Sequence, residues 1–129
     1  LTSAHKRNST RIFHKMCKSI VKYSQVYFVC ADGKGDEFSN DVNILDIGSS
    51  NNRFDRMTIT VNKIYNKAID LNADIYHLHD PELIRIGLKL LKKGKKVIFD
   101  SHEHVGDQIL GKDYIPKLFR KKFQTKIRL

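Results

Sequence analysis

Two short blocks hold most of the side chains able to do chemistry. One is His77-Leu78-His79-Asp80-Pro81-Glu82 and the other is Asp100-Ser101-His102-Glu103-His104, so four of the six histidines fall in two places. Clustered imidazoles and carboxylates can pass protons, donate hydrogen bonds to a leaving group or ligate a metal ion. His77 and His79 are two residues apart, so in an extended segment both face the same way, and His77 reads as a core histidine held by its neighbours. Asp80 precedes Pro81 and reads equally as the cap of a helix that starts there. Asp100 can close a turn in the same manner. His102 has no such duty, and stands as the leading candidate for a reacting or substrate-holding group, with Glu103 and His104 behind it.

Such blocks need elements to position them, and the pattern of apolar residues supplies these. Ile12, Phe13, Met16, Cys17, Ile20 and Val21 recur at helical spacing from Ser9 to about Tyr23, with Ser9 or Thr10 as the N-cap. Val26-Tyr27-Phe28-Val29-Cys30 is rich in β-branched and aromatic residues and ends at the turn signal Asp32-Gly33. Asn43-Ile44-Leu45-Asp46-Ile47 reads as a second strand. A long helix follows with Phe54, Met57, Val61, Ile64, Ala68 and Leu71 inward. Residues 74–79 form a third strand that runs directly into a helix, apolar from Leu83 to Leu91 and stopped by Gly94. Val97-Ile98-Phe99 is a fourth strand, and a basic helix at about residues 115–128 closes the chain.

Strands alternating with helices imply a mostly parallel sheet with right-handed crossovers, hence a three-layer α/β fold of the Rossmann-like, doubly wound kind. In open parallel sheets the ligand crevice lies beyond the carboxyl ends of the strands. Both histidine blocks occupy such ends. Leu1-Thr2-Ser3-Ala4-His5 resembles the tail of a further strand, so His5 is expected on the same rim.

The 129 residues fit one domain, with 40% hydrophobic residues for a core and 29% charged residues for a surface. Cys17 and Cys30 have no zinc-site or disulfide spacing and read as reduced core residues of a cytoplasmic protein. No apolar run approaches the ~20 residues of a membrane span. A G-x-G-x-x-G loop and a G-x-x-x-x-G-K-[ST] loop are both absent, so the usual nucleotide sites have no support. The formal net charge of +10 favours anionic partners. Lys6, Arg7 and Arg11 near the first helix start are candidates for anion binding. In the closing segment Lys117, Arg120, Lys121 and Lys122 interleave with Leu118, Phe119 and Phe123, a pattern suited to a packing helix or to peripheral contact with an anionic membrane.

Three stretches, Thr10-Arg11-Ile12-Phe13-His14-Lys15, Ala73-Asp74-Ile75-Tyr76-His77-Leu78-His79-Asp80-Pro81-Glu82-Leu83 and Gly94-Lys95-Lys96-Val97-Ile98-Phe99-Asp100-Ser101-His102-Glu103, resemble the N-terminal domain of bacterial family 4 glycosyltransferases. The likeness runs from Leu1 to about Lys122 and is most specific in H-x-H-D-P-E-L followed by G-K-K-V-I-F-D-x-H-E. It implies one half of a GT-B architecture, in which two Rossmann-like domains face each other across a cleft. It also implies metal-independent transfer of a sugar from a nucleotide diphosphate donor to a glycan or lipid-linked acceptor, in this family usually with retention at the anomeric carbon, while the residues themselves leave retaining and inverting outcomes both open. Residues 1–129 would then be the acceptor-side domain, a fragment lacking the first strand and the C-terminal donor domain, inactive by itself and inclined to self-associate.

By position His102 matches the family's histidine facing the donor sugar, and His79 with Asp80 match the adjacent cleft loop. His5 and Arg11 match the first loop and helix start, and Glu103 is of second rank. Met16 stands where many members carry an acid. Such an enzyme would work in the cytoplasm or at the inner face of the membrane, in capsule, exopolysaccharide or lipopolysaccharide assembly.

Two other classes compete with this reading. His77-x-His79-Asp80 with His102-x-His104 holds enough ligands for a metal-dependent hydrolase, although barrels built on such strands need ~250 residues. The charge alone suggests a nucleic-acid or anion-binding module, but no nucleic-acid motif accompanies it and nucleic acid is not an expected partner.

Overall fold

In the computed structural model, which describes residues 1–100, the helical row of Ile12, Phe13 and Cys17 is buried against the strand residues Phe28, Cys30, Val42 and Ile44. The chain divides into two compact units, Leu1–Ala73 and a second that begins at Asp74. The described residues are of mixed α/β type, with three helices and two small sheets, one mixed and one parallel.

In the first unit, helix α1 is a π-helical stretch, Thr10–Cys17, continued by an α-helical turn, Lys18–Ile20. Ser9 caps it: its Oγ accepts from the Ile12 N–H at 3.4 Å, and its carbonyl is shared by the N–H groups of Phe13 (2.9 Å) and His14 (3.2 Å). Strand β1 (Val26–Cys30) pairs in parallel with β3 (Val42–Asp46), Val26 opposite Val42 and Cys30 opposite Asp46. The sequence gives no sign of the strand between them. Strand β2 (Glu37–Ser39) runs antiparallel to β3, giving the order β1-β3-β2. The tight turn joining β2 to β3 sets Asn40 and Asp41 at φ 51° and 63°. Turns of this hand match the twist of a hairpin, and Asn and Asp tolerate the left-handed region better than other side-chain-bearing residues. Leu1, Thr2 and Ser3 are buried, and the Thr2 N–H donates to the Val29 carbonyl at 3.0 Å. The start of the chain thus lies beside β1 without forming a strand.

Helix α2 runs continuously through an α-helical turn (Arg53–Asp55), a π-helical stretch (Arg56–Thr60) and a longer α-helix (Val61–Leu71). Asn52 caps it by accepting from the Asp55 N–H at 2.9 Å. Val61, Ile64 and Ala68 are buried as their spacing predicts. Phe54 is not: it is 73% exposed. A π turn holds more residues than an α turn, so the row aligned with the core after Val61 falls out of phase before it. Asn72, at φ 44°, ends the helix.

In the second unit, β4 (Ile75–Leu78) pairs in parallel with β5 (Lys96–Phe99), Ile75 opposite Lys96 and Leu78 opposite Phe99. Helix α3, a 3-10 turn (Pro81–Leu83) followed by an α-helix (Ile84–Lys92), joins them. Its end is closed by two bonds, Gly94 N–H to Leu91 carbonyl and Lys95 N–H to Leu90 carbonyl, both 3.0 Å, with Gly94 at φ 79°. That double bond pattern needs the left-handed residue which glycine supplies. The face of the ribbon carrying Leu78 and Val97 packs on α3 at Gly87, while Ile75 and Ile98 on the other face are 55% and 49% exposed. Among the described residues no helix is long and apolar enough to cross a membrane. The closing basic helix expected at about residues 115–128 lies outside them.

Gly87 sets how closely α3 approaches the ribbon, since a Cβ there would sit 2.7 Å from Leu78 Cδ1. Gly87→Val should therefore destabilise the second unit by about 2 kcal/mol, the scale of overpacking a filled interior. Urea denaturation followed by circular dichroism checks this, and an unchanged midpoint would show that the interface has room to spare.

Candidate functional site

Parallel pairing of β4 and β5 puts residues of equal register on the same side, so alternation fixes which side chains meet beyond the strand ends. The Asp100 N–H donates to the Leu78 carbonyl at 2.9 Å, extending the pairing by one residue and bringing Asp100 beside His79. The imidazoles of His77 and His79 stack with centroids 4.5 Å apart and planes 25° from parallel. Asp100 Oδ2 lies 3.7 Å from His79 Nδ1. His79 is buried, whereas His77 and Asp100 are half-buried.

Asp80 departs from the role its position suggests. Its backbone is extended, with φ −117° and ψ 141°, and its carbonyl accepts from the Leu83 N–H at 3.0 Å, as an N-cap should. Yet its side chain makes no capping hydrogen bond, and the residue is only 3% exposed. Burying a carboxylate is costly, and capping does not account for it here. His102, Glu103 and His104 lie outside the described residues.

In the first unit, His5 is half-buried and held by Thr2, whose Oγ1 accepts from the His5 N–H at 3.0 Å and lies 3.1 Å from His5 Nδ1. Arg11 is exposed in the first turns of α1. Arg7, a sequence candidate for holding an anion, is engaged within the fold. Its guanidinium donates to both Asp32 carboxylate oxygens (Nε 2.8 Å, Nη2 2.7 Å), to Glu37 Oε2 (3.1 Å) and to the Gly35 carbonyl (2.7 Å). Hydrogen bonding from Arg7 holds the Asp32 carboxyl well below the usual carboxylate range, against the opposing effect of burial. Asp46 is lowered too: burial works against its charge, and the N–H groups of Gly35, Gly48 and Gly33 together outweigh it.

Among the described residues, two groups of side chains bring three possible metal-ligating atoms within 4.8 Å of one another: His77, His79 and Asp100, and Cys30, Asp32 and Asp46. In the second group the carboxylates already serve Arg7 and the backbone amides. Cys30 is pushed up to about 11, first by burial and then by the charge of Asp32, so it is a protonated thiol at neutral pH. That group is a structural knot. Sequence reasoning missed it because Arg7 precedes its two acids by 25 and 30 residues, and Asp32-Gly33 signals only a turn. Both cysteines are free and buried, as their settings predict.

The Arg7–Asp32 pair makes stability depend on pH with a definite sign. Unfolded, an aspartate ionises near ~4; in the fold Asp32 does so at lower pH. The pair's contribution is therefore fully present above about pH 5 and is lost as pH falls below ~4 through the folded-state value. Arg7→Ala, which leaves Asp32 buried without its counter-charge, should lower unfolding free energy by about 3 kcal/mol at pH 7. The loss between pH 5 and 3 should shrink with it. Denaturant titrations at the three pH values check both, and a variant with an unaltered pH profile would contradict the assignment. No protein-family model matches the chain, and no curated protein and no solved structure is detectably similar to it.

Proposed function

We propose that the chain is the acceptor-side domain of a glycosyltransferase of GT-B architecture. It would be a Rossmann-like half that, with a donor-binding partner domain, transfers a sugar from a nucleotide diphosphate to a glycan or lipid-linked acceptor of cell-surface polysaccharide. The observation that carries this reading is the gathering of His77, His79 and Asp100, with buried Asp80 adjoining, at the carboxyl ends of two adjacent parallel strands. These are the strand ends whose flanking sequences resemble the glycosyltransferase blocks, and strand carboxyl ends are where α/β folds bind ligands.

The roles follow from the chemistry of transfer. As the donor bond breaks, negative charge builds on the leaving diphosphate and positive character on the sugar ring. A hydrogen-bond donor fixed beforehand beside either lowers the barrier. On this reading His102 is that donor, and His79 and Asp80 line the adjacent loop. His5, Arg11 and Glu103 contact the substrate.

The test is a transfer assay on the protein expressed from its whole reading frame, with a panel of nucleotide diphosphate sugars and envelope lipid extract as acceptor. Transfer should be seen with one donor class, and His102→Ala should cut it about 10²-fold or more while thermal unfolding changes little. Failure to transfer from any donor, or wild-type turnover in His102→Ala, would overturn the respective part of the reading.

A further inference from the structure

The outer face of helix α1 carries one sign of charge. Ile12, Phe13 and Cys17 turn the other face into the core, so the helix shows solvent the row of Arg11, His14, Lys15 and Lys22, all exposed, with Lys18 half-buried. Helical hydrogen bonding continues beyond Ile20, whose carbonyl accepts from the Ser24 N–H at 3.1 Å, so Lys22 and Tyr23 lie on the last turn. No acidic residue occurs before Asp32. Helix α2, in the same unit, differs: Asp55 and Asp70 stand among Arg53, Lys63 and Lys67. Like charges three and four residues apart on a helix repel one another, and Lys15, Lys18 and Lys22 have those spacings. The arrangement costs the chain stability in isolation, and an anionic surface laid against it would relieve that cost.

Charge alone would suit any polyanion, and two side chains at the end of the row narrow the choice. Tyr23 is 87% exposed and Ile20 41% exposed. The basic helix α3 has no large exposed apolar side chain. A tyrosine ring settles at the headgroup level of a bilayer, and an aliphatic side chain gains from the acyl boundary beneath it but nothing from stacking on nucleic-acid bases. We propose that this face of α1, centred on Lys15 and Lys22 with Ile20 and Tyr23 at its end, docks the chain on the anionic phospholipid headgroups of a membrane surface. The ammonium groups meet lipid phosphates, while Tyr23 and Ile20 enter the boundary between headgroups and acyl chains. The apolar row of the helix stays in the core, so docking needs no unfolding. This surface shares only Arg11 with the transfer reaction proposed above and does not rest on that reading.

Co-sedimentation of the chain with lipid vesicles tests this without reference to catalysis. Binding is expected to vesicles of phosphatidylglycerol and phosphatidylcholine in equal parts, not to phosphatidylcholine alone, and high salt should release it. Lys15→Gln with Lys22→Gln should weaken binding about 25-fold, at ~fivefold for each lysine near an anionic surface. Lys34→Gln with Lys63→Gln, an equal loss of charge from exposed positions of the same unit, should weaken it far less. Tyr23→Ser should weaken binding severalfold and leave its salt dependence unchanged, which a loss of charge would not do. Circular dichroism checks that each variant is folded. Absence of binding to the anionic vesicles would overturn the proposal. Equal weakening by the two lysine pairs would overturn it too, showing that net charge or the closing basic segment is responsible. Displacement from the vesicles by a stoichiometric single-stranded oligonucleotide would assign the face to nucleic acid instead. Glycosyl transfer is read by its own assay, with Arg11 intact in every variant, so the two readings stand or fall separately.

Discussion

A buried guanidinium must be fully answered by acceptors or the fold around it fails, and Arg7 imposes that demand on the whole first unit. Its donors reach the end of β1 through Asp32, the following loop through the Gly35 carbonyl, and the first residue of β2 through Glu37. Removing one partner would leave charge stranded in a poorly solvated place, which is far more costly than never having built the pair. The loop therefore takes its shape from Arg7, and Asp46 completes it by drawing in the N–H groups of Gly33, Gly35 and Gly48. Beside this network the apolar contacts of Phe13 with Phe28, rings 6.3 Å apart, supply area but no such specificity.

In the second unit the ordering principle is backbone pairing. Parallel strands joined by a helix present their carboxyl ends on one side, and the helix starts where the first strand stops. Only His79 and Asp80 separate β4 from the 3-10 turn that begins at Pro81, so both are held between the strand and the helix. Gly87 lets α3 lie close to Leu78, and the Gly94 terminus returns the chain directly to β5. Together these features fix the separation of His79 and Asp100, although 20 residues intervene between them in the sequence.

Much of this was legible in the residues. Runs such as Val26-Tyr27-Phe28-Val29-Cys30 and Val97-Ile98-Phe99 have few alternatives to a strand, and Ser9, Pro81 and Gly94 mark helix ends by chemistry that needs no tertiary context. Strand β2 was not legible. Three residues carry no period, and Asn40-Asp41 lacks the glycine that normally betrays such a turn. The outward position of Phe54 was hidden because a hydrophobic row is read at one helical pitch, and the π-helical stretch after it changes the pitch. Of the strand-end group, histidine spacing disclosed the shared face of His77 and His79. The buried, non-capping state of Asp80 depends on packing, which no local pattern encodes.

The three-residue length of β2 has a consequence for how the molecule meets its own kind. A sheet grows wherever an outer strand offers a long row of unpaired amides and carbonyls to another chain. Here one border of the sheet is β2, too brief to template a recruit and beginning with the charged Glu37. At the opposite border the Thr2 amide already occupies the Val29 carbonyl of β1. One margin is thus too brief to template strand addition, and at the other the Thr2 amide leaves one acceptor fewer for an incoming chain.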